Sequence, residues 1–426
     1  MNATVASDGM KPGAAAEWKR NWGVVLSGAL GIGLASLTIY SSGAFIEPIE
    51  AEFGWSRGQI TLGLTIVSVT SVLLAPFIGL AVDRFGPRRI GIAGAVLYCI
   101  NFACLSLTTS ALWSWLSLWF LIAWSSALIK PTIWTTGVSS LFDAGRGLAL
   151  SVMLCGTALG STLTPILSTW LIDTYGWRMA FVGLGGFWGV LVIPAVLLLF
   201  SSAADRKRVA GRTSDPTSMT PAPALTGPHW REAMPTWKFV RLAGAAFIPS
   251  LTVVSFVASL IPIFSFAGIE RSAAASIAGL VGISTIVGRL TGGYLLDRIN
   301  GGIVGGVSML LPVISSVLVL SFPGSVLMAT IAVLVLGLSL GAELDAVAYL
   351  TTRHFGLRSF GMIFGTISGL LALATGLGPF LVNTSYDITG SYYPAVTAYI
   401  PLCLLASALF FSLGRYPVFE TRETNP

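Results

Sequence analysis

Twelve long apolar segments dominate this sequence of 426 residues. Each is about 20 residues long or longer, which is the length that a helix needs to cross the hydrocarbon of a bilayer. Charged residues make up only 10% of the chain, whereas a soluble domain has about 25%. We therefore predict an all-α membrane protein. The predicted spans are 22–46, 59–82, 90–109, 112–137, 147–172, 179–201, 239–266, 273–296, 302–321, 325–350, 359–385 and 392–413.

Lysine and arginine residues are distributed unevenly among the loops that join these spans. The side that carries both chain ends holds all but five of the 24 basic residues: Arg57, Arg178 and Arg271 lie opposite, and Lys130 and Arg289 lie within spans. Because basic loops stay in the cytoplasm, we predict that both termini are cytoplasmic. The net charge of +6 then reflects topology and contact with membrane lipid, not binding to nucleic acid.

A polar segment, 202–236, separates the spans into two groups of six. It is rich in Pro, Ser, Thr and basic residues and contains no apolar span, which is typical of a linker of low order. We therefore divide the chain into an N-terminal tail, a first six-helix bundle, a cytoplasmic linker, a second six-helix bundle and a C-terminal tail. These units are residues 1–21, 22–201, 202–236, 237–414 and 415–426.

The two groups of spans also resemble each other in sequence. "GLAVDRFGPRR" after the second span matches "GGYLLDRINGG" after the eighth, which places Asp83 and Asp297 214 residues apart. Phe142 after the fourth span and Phe355 after the tenth differ by 213 residues. Two anchors with nearly the same offset indicate a duplicated six-helix unit. Parallel repeats of this kind place a substrate site near the bilayer midplane between the halves.

The loop after the second span has the pattern G-x3-D-R-x-G-x-R-R. It resembles the loop signature of the major facilitator superfamily, and "GGYLLDR" resembles its degenerate second copy. "GRLTGGYLLDR", "GLALSVMLCGTALGSTLTP" and "GAELDAVAYLTTRHFG" are similar to bacterial relatives of monocarboxylate transporters and oxalate:formate antiporters. The resemblance implies 12 transmembrane helices in two pseudo-symmetric six-helix bundles. It also implies a secondary active transporter of a bacterial inner (plasma) membrane, without enzymatic activity or cofactor, and we expect a monomer.

The loop signature has a physical interpretation of its own. A glycine allows a neighbouring helix to approach closely, and an aspartate at a helix end can pair with a cation or with a facing helix N-terminus. Contacts of this kind can form in one conformation and break in another, although a plain topology anchor is the alternative. The predicted gating residues are Gly79, Asp83, Arg84, Arg88, Asp297 and Arg298.

Four charged residues, Lys130, Arg289, Glu343 and Asp345, lie inside apolar spans. A charge at a helix centre costs about 2.5–3.5 kcal/mol on insertion scales, so such residues normally face protein or a water-filled pathway. Lys130 and Glu343 each precede the matched phenylalanine of their half by 12 residues. We therefore predict that Lys130 faces Glu343 or Asp345 in a central cavity, next to a helix break at Pro131. Snorkelling of Lys130 to the headgroups is the alternative.

Arg289 is the strongest candidate for contact with a substrate. Its counterpart in the first half is Ala75, so the duplicated scaffold does not require it, and a guanidinium holds a carboxylate through two parallel hydrogen bonds. Pairing with Asp297 or a carbonyl is the structural alternative. Further substrate-binding candidates, each also typical of packing or interfacial anchoring, are Lys130, Tyr40, Trp134 and Tyr349.

The chain departs from its relatives in ways that affect coupling. Monocarboxylate transporters carry an aspartate one turn before the arginine, where this chain has Thr285, and a lysine near the end of the first helix, where it has Glu47. Oxalate:formate antiporters carry a lysine in the eleventh helix, which this chain lacks. We therefore predict that Glu343 or Asp345 carries the proton, because a poorly hydrated carboxyl group takes up a proton more readily. Glu47 is either a further candidate or a solvated residue at the outer mouth.

Three classes of function remain open on the sequence. The first class is a carrier that moves a small organic anion, a monocarboxylate, together with a proton. It fits the duplication, Arg289 and the lack of a G-x-x-x-x-G-K-[ST] loop. An exporter of amphipathic compounds, or an organic-anion exchanger of the same superfamily, is the alternative. For an intramembrane enzyme, the sequence offers no metal cluster and no nucleophile–base pair, so we predict neither catalytic residues nor a metal site.

Overall fold

The computed structural model describes residues 14–142, 146–201, 227–296, 298–356 and 360–417. All regular secondary structure in these residues is helical, and eleven helical stretches among them are long and apolar enough to cross a membrane. One stretch, Leu148–Leu199, has 52 residues and contains Gly176, whose φ of 80° and ψ of 161° interrupt the helix. A break in this region of backbone space favours glycine, and it divides the stretch into two spans. The total of twelve confirms the predicted all-α fold.

We name the spans α1 to α12 in chain order, and several of them consist of two helical segments. The first half contains α1 (Ala14–Ala35 and Leu37–Phe53), α2 (Arg57–Phe85), α3 (Pro87–Cys104), α4 (Leu112–Ala127 and Pro131–Ser139), α5 (Arg146–Leu154, then Gly156–Leu199 as far as Gly176) and α6 (Gly156–Leu199 beyond Gly176). The second half contains α7 (Trp237–Ala258 and Leu260–Phe266), α8 (Arg271–Leu296), α9 (Gly301–Ser308 and Leu310–Ser321), α10 (Val326–Phe355), α11 (Phe360–Thr389) and α12 (Tyr393–Phe411).

Local sequence explains where α2 begins and ends. The Ser56 hydroxyl accepts a hydrogen bond from the Gln59 amide, and the Gln59 side chain accepts one from the Ser56 amide. This capping box satisfies two amides that have no partner inside the helix. At the other end, Gly86 turns with a φ of 84° and Pro87 opens α3. Proline suits a first helical position because its missing amide hydrogen would have no acceptor there.

The fourth span is broken where its sequence places Lys130 and Pro131 in an apolar run. The amides of Leu128 and Ile129 bond three residues back instead of four, Lys130 is extended with a ψ of 153°, and Pro131 starts the second segment. Proline lacks an amide donor and disfavours helical backbone in the preceding residue. The predicted break is therefore confirmed.

The two halves meet along α2 and α11, along α5 and α8, and where α1 faces α7. Glycines allow this close approach. A Cβ added at Gly282 of α8 would collide with the Ala158 carbonyl of α5, and one at Gly376 of α11 would collide with Ser68 of α2. The halves are thus packed through backbone contacts that larger residues would prevent.

We call the side of the bundle that carries the chain ends the terminal face and the opposite side the distal face. Several hydrogen bonds join the two halves at the distal face or near mid-span. The deepest is donated by the Thr65 hydroxyl of α2 to the Gly376 carbonyl of α11 at 2.8 Å. The others link Ser42 to Ala258, Arg57 to Asp387 and Tyr392, Gly58 to Asp387, and Arg271 to Asp173 and Ala44. These bonds hold the distal face closed in this structure.

Candidate functional site

Arg289 of α8 and Asp345 of α10 form an ion pair inside the bundle. Nε of Arg289 lies 3.5 Å from Oδ2 of Asp345, and the two side chains are 16% and 32% exposed. Nε is nevertheless buried without a hydrogen-bond acceptor, so the contact is electrostatic and leaves a donor unused. A shielded guanidinium with unused donors is suited to a carboxylate, which it can hold through two hydrogen bonds.

Two glycine pairs, each four residues apart, bring these side chains together. Gly288 and Gly292 lie on α8, and Gly337 and Gly341 lie on α10. A Cβ added at Gly341 would lie only 2.6 Å from the Arg289 amide nitrogen, and one at Gly288 would collide with the α10 backbone. Small residues at this spacing allow membrane helices to pack closely, so Arg289 and Asp345 are neighbours because their helices almost touch. This spacing is the sequence signal that could have revealed the pair.

Tyr40 brings the first half to the same region. Its hydroxyl lies beside the Ser161 hydroxyl of α5 and within electrostatic reach of the Arg289 guanidinium. A small cavity at this junction is lined by Tyr40, Gly43, Pro165, Val257, Ala258, Ile261 and Ala278. Because these residues come from α1, α5, α7 and α8, the cavity lies between the two halves, and Tyr40 connects it to Arg289, which does not line it.

The second segment of α4 presents a polar face next to Lys130. Thr132, Thr136 and Ser140 are exposed, whereas Ile133 and Val138 on the other side of the helix are buried. Exposed hydroxyl groups at helical spacing within a membrane span favour a water-filled space over lipid. Lys130 forms no ion pair with any residue in the described part of the chain, so its ammonium group stands at the end of this polar face without a protein counter-ion.

Comparison with known proteins identifies the family. The sequence model of the Major Facilitator Superfamily matches residues 28–417. The chain belongs to the major facilitator superfamily. It is 24% identical over 408 residues to "Monocarboxylate transporter 13" of Bos taurus, covering 95% of this chain and 92% of that protein. It is 27% identical over 381 residues to a "Gallate transporter" of Pseudomonas putida, covering 78% and 82%.

The fold also agrees with that of a solved member of the superfamily. A bacterial homologue of the human lysosomal transporter Spinster, in an inward-facing and unoccupied conformation, matches with a TM-score of 0.72 and 18% identity. The match covers 92% of this chain and 96% of that one. The predicted superfamily and twelve-helix fold are confirmed, and the protein is a transporter and not an enzyme.

Among the described residues of this protein, Lys130 does not pair with an acid on α10 as predicted. Asp345 pairs with Arg289 instead. Glu343 is 5% exposed and lies beside the Ser250 hydroxyl of α7, near Cys403 of α12. Residues two apart on a helix are separated by a rotation of about 200° around the helix axis. Glu343 and Asp345 therefore cannot face the same partner.

Two aromatic candidates, Trp134 and Tyr349, pack against other aromatic rings. Trp134 is fully buried in the first half, where its indole nitrogen donates to the Ile129 carbonyl at 2.9 Å and its ring lies 5.0 Å from the ring of Phe200. We therefore correct its assignment from substrate contact to core packing in this conformation. Tyr349, one turn beyond Asp345 on α10, packs against Tyr416 with ring centroids 6.4 Å apart, and its contact with substrate stays a prediction.

The loop-signature residues whose side chains the structure describes, Arg84, Arg88 and Arg298, lie at the terminal face, as expected from their positions in the chain. Arg88 donates to the Leu197 carbonyl of α6 at 2.6 Å, Arg84 stacks on Phe85, and Arg298 lies 4.1 Å from the ring centroid of Tyr294. Asp297, and the side-chain surroundings of Gly79 and Asp83, lie outside the described residues. Their gating role stays a prediction. Glu47, on α1 towards the distal face, is half-buried.

The thiol and imidazole groups do not assemble a metal site. All four cysteines are free, with Cys99 and Cys403 buried and Cys104 and Cys155 half-buried. His354 is buried against the Tyr416 ring. Across the described ranges, no group of three or more His, Cys, Asp or Glu residues could hold a metal ion.

Proposed function

We propose that this protein is a secondary active transporter that moves a small organic anion, a monocarboxylate, by alternating access and together with a proton. The observation that carries the proposal is the Arg289 guanidinium, which has an ion-pair partner, keeps a buried donor unused and lies within electrostatic reach of Tyr40 of the other half. The names of its relatives support a carboxylate, since both a monocarboxylate transporter and a gallate transporter move acids.

Binding of substrate would replace Asp345 as the counter-ion of Arg289. A carboxylate approaching the guanidinium can form two aligned hydrogen bonds, which are stronger than a single electrostatic contact at 3.5 Å. Tyr40 of the first half, which lies within electrostatic reach of Arg289, would donate its hydroxyl hydrogen to the same anion. Binding would then link α1 to α8, so that the anion bridges the two halves.

Proton coupling would follow from the displacement of Asp345. Once its arginine is occupied by the substrate, the Asp345 carboxyl group is partly buried without a cation, and burying an unpaired charge is costly. Taking up a proton removes this cost, so anion and proton bind together. Glu343, buried beside Ser250, is the second carboxyl group that could carry the proton, and the two act from opposite sides of α10.

The polar face of α4 would contact the remainder of the substrate. Lys130 and the exposed Thr132 and Thr136 supply a cation and hydroxyl groups on the first half, whereas Arg289 lies on the second half. A substrate with a polar group remote from its carboxylate could therefore contact both halves. A small aliphatic acid would contact mainly Arg289.

We place both chain ends in the cytoplasm of a bacterial cell and the closed distal face outside. The excess of basic residues on the loops of the terminal side supports this orientation. The structure would then represent a state that releases substrate to the cytoplasm, with the loop signature gating the terminal face. We propose a monomer surrounded by lipid.

Uptake by purified protein in proteoliposomes tests this function. Radiolabelled lactate, pyruvate, benzoate, 4-hydroxybenzoate and oxalate would be offered with and without an imposed pH gradient. We expect at least one monocarboxylate to accumulate, and to accumulate more when the opposite compartment is acidic. Transport of amphipathic cations without transport of any carboxylate would contradict the proposal and support the exporter alternative.

A further inference from the structure

We infer that Asp387 of α11 and Arg57 of α2 form a gate that holds the distal face closed, and that Tyr392 and Asn383 connect this gate to the break in α7. We call these four residues the distal gate. The inference goes beyond the proposed function, because it concerns the closed state and does not depend on which anion is carried.

The Asp387 side chain caps α2 across the boundary between the halves. Its Oδ1 accepts a hydrogen bond from the Arg57 amide at 2.8 Å, and its Oδ2 accepts one from the Gly58 amide at 2.7 Å. These amides belong to the first turn of α2, where no acceptor within the helix is available. A carboxylate at this end also interacts favourably with the helix dipole. Separation of the halves would break both bonds at once.

The Arg57 side chain crosses the same boundary in the opposite direction. Its Nη1 donates to the Tyr392 hydroxyl at 2.8 Å, and its guanidinium carbon lies 4.1 Å from the ring centroid of Tyr386. Its Nε stays bound to Glu50 of its own half at 2.8 Å. Arg57 is only 8% exposed, so the closed state shields a charge that is satisfied by partners from both halves. The gate is therefore specific to this arrangement of the halves.

A hydrogen-bond chain runs from this gate towards the middle of the membrane. The Tyr392 hydroxyl, which accepts from Arg57, donates to Oδ1 of Asn383 at 2.9 Å. Nδ2 of Asn383 donates to the Ser259 hydroxyl at 3.3 Å. Tyr392, Asn383 and Ser259 are all fully buried, where a polar group without a partner is costly. Nδ2 of Asn383 also donates to the Pro379 carbonyl of its own helix at 2.8 Å, so α11 holds this amide in place between Tyr392 and Ser259.

The chain ends at a point where α7 can bend. Ser259 joins the two segments of α7, with a φ of −110° and a ψ of 11°. The preceding residue, Ala258, accepts a long hydrogen bond of 3.4 Å from Ser42 of α1 and lines the same cavity as Tyr40. Closing the gate therefore fixes the α7 wall of the candidate site, and opening it would release that wall.

Distance measurements between two spin labels test the gate. Ala51 of the first half and Ile388 of the second are exposed at the distal face and would carry nitroxides after replacement of the four native cysteines by alanine. We expect Asp387→Asn, which keeps only one of two acceptor oxygens, to raise the ratio of long to short distances about tenfold. Tyr392→Phe should shift the ratio in the same direction. Glu52→Gln is the matched control, because Glu52 pairs with Arg178 inside the first half at the same face.

Two results would overturn the inference. A distance distribution for Asp387→Asn that superimposes on that of the parent protein would exclude the gate. An unchanged distribution for Tyr392→Phe would exclude the connection to α7. Melting temperatures of all variants, measured in the same detergent, separate a shifted equilibrium from a loss of folding. Since no transported anion is needed, the outcome is independent of the uptake assay.

Discussion

The Arg289 guanidinium lies 3.5 Å from the Asp345 carboxylate, and its Nε donates no hydrogen bond. This combination distinguishes the pair from a structural salt bridge such as Arg57 with Glu50, where Nε donates at 2.8 Å. A charged pair that is held together without optimal hydrogen bonds gives up little when a better acceptor arrives. The pair is therefore suited to exchange one carboxylate, that of Asp345, for another, that of the substrate.

Replacing Asp345 by asparagine should separate proton coupling from anion binding. Asparagine keeps the size of the side chain but cannot bind and release a proton. We expect Asp345→Asn to retain exchange of unlabelled for labelled carboxylate across the membrane. The accumulation driven by a pH gradient should fall about tenfold or more. Both quantities can be measured in one preparation of proteoliposomes.

Glu343→Gln is the informative comparison for that experiment. If Asp345 is the coupling group, Glu343→Gln should keep gradient-driven accumulation, provided that its melting temperature matches that of the parent protein. If accumulation is instead lost in Glu343→Gln and kept in Asp345→Asn, the coupling role belongs to the carboxyl group beside Ser250 and our assignment is wrong.

Removing the Lys130 charge should reduce affinity for substrates with a second polar group. Lys130 stands without a counter-ion in the described residues, at the end of the hydroxyl-bearing face of α4. We expect Lys130→Ala to raise the KM for 4-hydroxybenzoate or oxalate about tenfold, because a charge-assisted contact is lost, and to change the KM for lactate much less. Lys238→Ala, at an exposed lysine that starts α7, serves as the control. Equal effects on all substrates would exclude a contact to the remote group.

Two glycine substitutions should distinguish packing between the halves from packing within one half. A Cβ at Gly282 would collide with Ala158 and Thr162 of the other half, whereas one at Gly156 would collide with the Ala29 carbonyl of its own half. Overpacking costs about 1–3 kcal/mol. Gly156→Val should therefore lower the melting temperature. Gly282→Val should change the melting temperature little, because the halves can separate at that contact. It should slow transport, because the closed packing of α5 against α8 is hindered. A lower melting temperature only for Gly282→Val would contradict this account.

Much of the fold could be predicted because membrane spans follow from local sequence. Twelve apolar runs gave twelve helices, since unpaired backbone groups are not tolerated in lipid. The break at Lys130 and Pro131 was equally predictable, because proline acts on its immediate neighbours. The internal offset of 214 between the halves indicated two related bundles without any knowledge of packing.

Contacts between helices were less accessible to sequence analysis. The duplication suggested that Lys130 faces an acid on α10, whereas Asp345 pairs with Arg289 through the close packing at Gly288 and Gly341. Symmetry of sequence predicts equivalent positions but not which side chains touch. The burial of Trp134 in the first half has the same origin, because an aromatic residue on a cavity helix can point to either side.

The distal gate illustrates the limit most clearly. In the sequence, Arg57 counted only as one of the few basic residues on the side away from the chain ends. Its partner Asp387 lies 330 residues further along the chain, and no local pattern connects them. Ser56 and Gln59 do predict where α2 starts, but the capping of its first amides by the other half is a property of the assembled fold.

The most direct test of the account is carboxylate counterflow by variants of Arg289. Proteoliposomes loaded with the unlabelled form of an accepted monocarboxylate would be diluted into its labelled form, and Arg289→Lys and Arg289→Ala would be compared with the parent protein. We predict that Arg289→Ala abolishes counterflow, and that Arg289→Lys keeps less than about a tenth, because an ammonium group cannot form the two parallel bonds of a guanidinium. Arg241→Ala, at an arginine that bonds the Ser412 carbonyl at the terminal face, should leave counterflow unchanged. Counterflow by correctly folded Arg289→Ala at the rate of the parent protein would contradict the central claim.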